Sequence, residues 1–370
     1  MLIGRFDVGG IQRQVMATAA GLRDRGHDVA VLTIYPTGRF AEELRAAGID
    51  VRSLERRSRR DIASLLRGIR TVRGLRPDVV YCYHVMPNLV GLVYHLFWRR
   101  AALVWGLRAT DIDKHGLVKR LQFRASRYVA RFPDAIIANS DAVRDFHVGA
   151  GYPADAVTVV PNGIDTDRFV PDGQQRERVR AELGAGDATL VIGVVAQLRG
   201  KKGHEHLLRA LPEVRAEHDD VAVLVVGDGP ERERLEALSV ELGQADAVTW
   251  LGYRSDVPAI YNGLDVLCLP SSFGEGFPNV IGEALASGVP VVATDVGGAK
   301  QVVGPHGTVV EAASPAALAR GIRWVARRRD AGQLGWPVPG AWKRVDEEFS
   351  TRALLSRTER VLRACVAARR

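Results

Sequence analysis

A chain of 370 residues, 46% hydrophobic and 25% charged, has the make-up of an ordinary globular protein and is long enough for two hydrophobic cores. Its three cysteines, Cys82, Cys268 and Cys365, are far apart and form no CxxC pair, which argues against a disulfide framework and a cysteine zinc site and fits a reducing compartment. The net charge of +8 belongs to the first half: residues 1–170 hold 26 Lys+Arg against 17 Asp+Glu, and residues 171–370 hold 25 against 26.

The chain opens MLIGRFDVGG, with no basic start followed by a long apolar run, so no signal peptide is read there. Apolar stretches such as 89–98 reach about ten residues, whereas a spanning helix needs ~20. The expected location is cytoplasmic, at most peripheral on the inner face of the cytoplasmic membrane. The positive charge clusters at Arg56, Arg57, Arg59 and Arg60, at Arg67, Arg70, Arg73 and Arg76, and from Arg99 to Arg131. It reads either as a solvated arginine-rich surface or as attraction to an anionic membrane surface or a phosphate-bearing acceptor. No recognition motif accompanies it, so nucleic acid is not an expected partner.

In chain order the rhythm is a short β-branched run, a Gly-rich turn and an amphipathic helix. Residues 2–6 read as a short strand, 7–10 as its turn, and 11–25 as a helix stopped by Gly26. Strands follow at 29–35, 79–83, 103–106, 135–138 and 158–160. The stretch 162–175, rich in Gly, Pro and Asp, reads as a linker. The rhythm then restarts, with strands at 188–195, 221–226, 248–251, 266–269 and 289–293 and helices at 204–216, 230–242 and 278–286. A last helix spans 351–370. Buried strands alternating with helices imply parallel sheets covered on both faces. The expected architecture is α/β, with two Rossmann-like doubly wound domains: 1–165, completed by the helix 351–370, and 171–350. Such a pair implies a cleft, and ligands of such sheets bind outside the carboxyl ends of the strands.

The most informative turn is 271–284, SSFGEGFPNVIGEA. Pro278 suits the first position of a helix and Gly288 the stop beyond it. The helix start offers the N–H groups of Phe277, Asn279 and Val280 and a positive dipole end, a ready phosphate site. Glu275 lies at the helix mouth. Glu283, about five residues in, can accept two hydrogen bonds from a ribose diol. Other patterns carry less. Gly227-Asp228-Gly229 lacks the third glycine of a dinucleotide motif and reads as a tight turn. Asp111-Ile112-Asp113 and Asp165-Thr166-Asp167 have the DxD form, the second suiting a cap. His204 and His206 fall on different helix faces. No metal and no cofactor are expected.

EGFPNVIGEALASGVPVVATDVGG (275–298), with its two glutamates enclosing seven residues, resembles the signature of the retaining GT-B glycosyltransferases, glycosyltransferase group 1, family 4. The resemblance extends through DVGG (7–10), RGHDVAVLT (25–33), RPDVVY (76–81), ANSDAV (138–143), VPNGIDTDRFVP (160–171), AQLRGKKG (196–203), VVGDGPERERLE (225–236) and LGYRSDVPAIYNGLDVLCLPSS (251–272). It implies transfer of a sugar from a nucleotide diphosphate sugar, a UDP-sugar ahead of GDP-mannose, to a glycan, lipid-linked or small-molecule acceptor such as a polyprenyl-linked sugar. It implies Lys202 at the donor diphosphate, the backbone near Gly252, Tyr253 and Arg254 at the base, Glu283 at the ribose and Glu275 at the transferred sugar, with the Gly9-Gly10 turn also at the diphosphate. Two positions depart from the pattern. Gln197 stands where the family has an arginine, and Arg199 is the substitute. The family histidine after the fourth strand falls at Tyr83, with His84 next to it. The rival readings are a GT-B-type sugar-nucleotide epimerase or hydrolase, and a non-catalytic sugar-nucleotide-binding subunit.

Overall fold

The computed structural model describes residues 1–5, 9–36, 38–58, 61–110 and 116–370, so the Asp111-Ile112-Asp113 pattern lies outside the described residues. The chain divides into two compact units, residues 1–163 with 351–370, and residues 164–350.

In the first unit the order is β1 (Leu2–Ile3), α1 (Gly10–Asp24), β2 (Ala30–Thr33), α2 (Arg39–Ala46), β3 (Asp50–Ser53), α3 (Ile62–Leu75), β4 (Val79–Tyr83), α4 (Val85–Phe97), β5 (Ala102–Leu107), α5 (Leu117–Val129), β6 (Ala135–Ala138), α6 (Asp141–Gly149) and β7 (Val157–Val159). The strands form one parallel sheet in the order β3-β2-β1-β4-β5-β6-β7. One face is covered by α1 and α2, through Val15, Ala19 and Leu44, and the other by α3 to α6, through Val72, Tyr94 and Val143. Strand β5, an interior strand buried at every position, is an unbroken apolar segment, as a strand covered on both faces must be.

The second unit runs α7 (Gly173–Glu182), β8 (Leu190–Val195), α8 (His204–Arg215), β9 (Val221–Val226), α9 (Arg232–Glu241), β10 (Val248–Gly252), α10 (Val257–Gly263), β11 (Val266–Leu269), α11 (Asn279–Ala286), β12 (Val291–Thr294), α12 (Ala299–Val303), β13 (Gly307–Val310), α13 (Pro315–Asp330) and α14 (Ala341–Phe349). Its parallel sheet has the order β10-β9-β8-β11-β12-β13. The final helix, α15 (Thr351–Ala367), belongs to the first unit and packs on α1, where Gly21 leaves room for Leu355. A Cβ on Gly21 would stand 2.2 Å from a Leu355 methyl. In both sheets the strand order reverses direction once, between β1 and β4 and between β8 and β11. Those two points are where a doubly wound sheet opens a crevice at its carboxyl edge.

The amino edge of the second sheet is tied by a buried knot. Asp265, just before β11, receives Arg176 at 2.6 Å, Arg180 at 2.9 Å, Arg329 at 3.0 Å and the Val191 N–H at 2.9 Å. The three guanidinium groups spend other N–H groups on the carbonyls of Asn262, Leu264, Thr189 and Ala188. Burial pushes the Asp265 carboxyl up, but the Val191 N–H and the arginines outweigh it and hold the group below the usual carboxylate range. Its contribution to stability is therefore present above the ordinary carboxylate pKa and is lost as pH falls through the depressed one. Removing one member of a buried ionic cluster costs about 3–5 kcal/mol. Asp265→Asn is expected to lower stability by about that much in denaturant titration at neutral pH. The gap to the wild type should narrow in acid; an equal stability of the two at neutral pH would contradict this.

Candidate functional site

Three loops at the carboxyl edge of the second sheet converge. After β8 the chain turns through a short 3-10 segment, Gly200–Lys202, into Gly203, whose φ is +66°. A Cβ at Gly203 would stand 2.0 Å from the Pro270 carbonyl oxygen, so only glycine lets this loop lie against the end of β11. The Ser272 N–H then donates to the Lys201 carbonyl at 2.9 Å. The turn after β12 closes the other side. Gly297 has φ +57°, and a Cβ there would meet the Glu275 carbonyl oxygen at 1.8 Å. The Gly298 N–H donates to the Gly276 carbonyl at 2.9 Å, and the Thr294 hydroxyl to the Ser271 carbonyl at 2.6 Å.

This frame holds Glu275 almost fully buried, 8% exposed. Its Oε1 accepts from the Lys202 ammonium at 2.6 Å and from the Ser271 hydroxyl at 2.7 Å. Burial acts to raise the carboxyl pKa, but the Lys202 charge and hydrogen bond, with Ser271 and Lys201, reverse the sign and hold it below the usual range. The site therefore keeps an ionised carboxylate and an ammonium side by side at neutral pH. Beside them α11 starts at Asn279 with no side-chain cap. Pro278 stands at the cap, one position earlier than expected, within the usual blur of helix ends. Phe277 sends its ring into the core against Phe349, so only its backbone faces the loop. Val280 also packs against the core. Glu283, 5% exposed, lies in the first turns of α11 and accepts from the Tyr261 hydroxyl at 3.0 Å.

The other expected residues are less convergent. Among the described residues the exposed Arg199 guanidinium makes no hydrogen bond or ion pair, and Gln197 beside it is exposed too. Gly227 and Gly229 form a tight turn that lies on the Ala196 and Leu198 carbonyls and so supports the Arg199–Lys202 loop. Tyr253 is exposed at the end of edge strand β10, and Arg254 is committed to Asp256 by two hydrogen bonds of 2.6 and 2.8 Å. His204 is buried, and burial pushes its imidazole down to about 4. Asp165 accepts the N–H groups of Asp167 and Arg168, a local cap. A cavity of about 360 Å³ opens beside the Asp265 knot, but its charged lining is largely satisfied internally.

In the first unit, Gly9 and Gly10 head α1 after β1. His84 follows β4, across the same reversal point, with φ +82°, a region that non-glycine residues enter at a cost. Its Nδ1 accepts the Val85 N–H at 2.9 Å, which leaves the proton on Nε2 as a donor. Tyr83 is buried in the core with its ring centroid 4.4 Å from that of Tyr81. A residue the motifs did not single out, Arg108, is buried at the end of β5. It donates to the Tyr81 hydroxyl at 2.7 Å and to Asn162 Oδ1 at 3.0 Å, and lies over the Tyr83 ring. Among the described residues no carboxylate pairs with it.

If Lys202 is what keeps Glu275 ionised, Lys202→Met should let burial dominate. Carboxyl carbon NMR of Glu275 should then show titration moving from below the ordinary glutamate range to above it. An unmoved titration would contradict the pairing.

Two family models match the chain: Glycosyltransferase Family 4 over residues 8–168, and Glycosyl transferases group 1 over residues 175–332. Among curated proteins, a GDP-mannose-dependent alpha-(1-6)-phosphatidylinositol monomannoside mannosyltransferase of Mycolicibacterium smegmatis is 36% identical over 197 residues, 50% of this chain and 51% of that protein. The 2-deoxystreptamine glucosyltransferase of Streptomyces kanamyceticus is 31% identical over 251 residues, 66% of this chain and 64% of that protein. The chain thus spans about half the length of the mycobacterial relative. Anabaena HepE, solved in complex with UDP-glucose, superposes with a TM-score of 0.85 at 24% identity, covering 98% of this chain and 99% of HepE. The two models between them take in most of the chain and both units have the matching fold, so the chain belongs to the GT-B glycosyltransferases of the group 1 and family 4 type.

Proposed function

We propose that the protein transfers a hexose from a nucleoside diphosphate sugar to an acceptor hydroxyl, with retention of anomeric configuration and without a bound metal. The observation that carries this reading is the half-buried Lys202 paired with the buried Glu275 and Ser271 at the reversal point of the second sheet, next to the start of α11, which has no side-chain cap. The anomeric carbon–oxygen bond to the diphosphate breaks, and a new one forms to the acceptor oxygen on the same face. The acceptor proton passes to the leaving diphosphate. Lys202 and the N–H groups at the start of α11, with Arg199 free to swing in, would meet the negative charge that develops on that diphosphate. This is stabilisation by preorganised charge. Glu275, ionised beside the sugar, would steady positive charge at the anomeric centre and hold hydroxyl groups. Glu283 would hold the ribose in place of its present partner, the Tyr261 hydroxyl. Tyr253 and the backbone at Gly252 and Arg254 would lie beside the base. His84, with its Nε2–H, is a further proposed catalytic residue, able to donate a hydrogen bond to a sugar hydroxyl.

The names of the relatives divide on the donor: GDP-mannose for the mycobacterial protein, UDP-glucose for the bound HepE. The basic first half and the lipid acceptor in the mycobacterial relative's name favour a lipid-linked acceptor, such as a polyprenyl-linked sugar at an anionic membrane, in bacterial glycan or glycoconjugate assembly.

The test is release of nucleoside diphosphate from UDP-glucose and GDP-mannose with a panel of lipid-linked and soluble acceptors, and the anomeric configuration of the product by NMR. Glu275→Ala and Lys202→Ala are each expected to lose about 10²-fold or more in kcat/KM. Full activity in both variants would refute the assignment. A new sugar formed from donor alone would point instead to an epimerase or hydrolase.

A further inference from the structure

Two arginines are buried among the described residues, Arg108 at 6% exposed and Arg180 at 8%. Arg180 is matched: it meets Asp265 at 2.9 Å and the Thr189 carbonyl at 3.0 Å. Arg108 is not. It donates to the Tyr81 hydroxyl at 2.7 Å and to Asn162 Oδ1 at 3.0 Å, both neutral, and its Nε–H is buried with no partner. A buried charge with no counter-charge is costly to keep.

The sheet sets where this charge stands. Arg108 follows β5 and Asn139 follows the neighbouring β6, and Leu107 pairs with Ala138, so the two leave adjacent strand ends side by side. Asn139 is 3% exposed, and its Oδ1 has no hydrogen-bond partner either. An unmatched cation and an unmatched acceptor thus share the carboxyl edge of a doubly wound sheet, the edge at which such sheets bind their ligands. The guanidinium carbon lies 4.9 Å from the centroid of the Tyr83 ring, which covers one face of the group and leaves its N–H edge to select a ligand.

We propose that Arg108 reads a carboxylate on one of the two sugars, so that the donor or the acceptor carries a uronic acid. The inference deepens the transferase reading and rests on it. A planar carboxylate matches the guanidinium edge, and one negative charge balances one cation. A phosphate dianion fits less well, because Tyr81, Tyr83 and Asn162 supply no second positive charge. The Tyr81 hydroxyl and Asn162 hold the guanidinium in place as neutral partners, and a carboxylate gives it the charge-assisted bond that neither provides. Asn139 Oδ1 supplies an acceptor for a hydroxyl of the same ring.

Side-chain Nε–H NMR of the full chain with isotope-labelled arginine tests this, the Arg108 signal being assigned by its absence in Arg108→Lys. The probes are glucuronate, galacturonate, UDP-glucuronate, UDP-glucose and glucose. The signal is expected to move and saturate with a carboxylate-bearing probe, and to move far less with its neutral counterpart. A response to UDP-glucuronate alone assigns the carboxylate to the donor, and a response to the free uronates assigns it to the acceptor. Arg108→Gln should weaken binding of the responding probe about ten-fold or more. If that variant does not fold, the wild-type titration decides alone. No movement with any carboxylate probe, an equal response to the neutral counterpart, or undiminished binding by a folded Arg108→Gln would overturn the proposal. UDP and GDP carry no carboxylate and report the nucleotide site separately. Their binding with no Arg108 response to uronates refutes the carboxylate site and leaves the transferase reading standing, whereas a uronate response without nucleotide binding refutes the transferase reading instead.

Discussion

A carboxylate buried at the carboxyl edge of a parallel sheet is the constraint around which the second unit is arranged. Glu275 is unfavourable there as an isolated charge, since burial alone would neutralise it. It stays ionised because Lys202 and Ser271 reach one of its oxygens, and they reach it because three loops are fixed to within hydrogen-bonding tolerance. Gly203 brings the lysine loop onto the end of β11, and Gly297 brings the β12 turn onto the glutamate's own backbone. The strand order supplies the opening, because β8 and β11 are neighbours whose following loops turn opposite ways. A ligand that offers a negative diphosphate to Lys202 and a hydroxyl-bearing ring to Glu275 would exchange an internal ion pair for an external ion pair and hydrogen bonds, which suits a site that must bind and then release.

The first unit uses polar burial differently. Arg108 is surrounded by the Tyr81 hydroxyl, the Tyr83 ring and Asn162, all neutral, at the end of β5. His84 sits in a costly backbone conformation at the end of the neighbouring strand β4, with its Nδ1 already occupied. Strained and uncompensated groups of this kind collect where function outweighs stability. The helix face formed by α5 adds a second such departure, an apolar stripe of Leu117, Leu121 and Tyr128 left in the open.

Much of this was legible in the residues. The alternation of β-branched runs and amphipathic helices gave both sheets, because a strand covered on both faces is apolar at every position, as 135–138 and 266–269 are. The edge strands β3 and β13 escaped notice. DVRS and GTVV are half-exposed, so burial leaves little pattern in them. Lys202, Glu275 and Glu283 stood out from motif spacing, but their partners did not. Ser271 reads as an ordinary loop serine, and the need for glycine at 297 depends on an approach to Glu275 that lies 22 positions back in sequence. Phe277 looked like part of the loop, yet its side chain serves the core. Arg254 looked available until Asp256, two residues on, claimed it. Such contacts depend on how loops meet in space, which one-dimensional spacing does not encode.

The central claim is that the Lys202–Glu275 cluster and Glu283 together form a site for a nucleoside diphosphate. Thermal unfolding of the protein with UDP, GDP, CMP, ADP and NAD at millimolar concentration tests it most directly. A ligand at ~100 times its dissociation constant adds ~2.7 kcal/mol of stability. The account predicts a rise in melting temperature with one nucleoside diphosphate, which also names the base, and loss of that rise in Glu283→Ala. No rise with any nucleotide, or a rise with NAD alone, would contradict it.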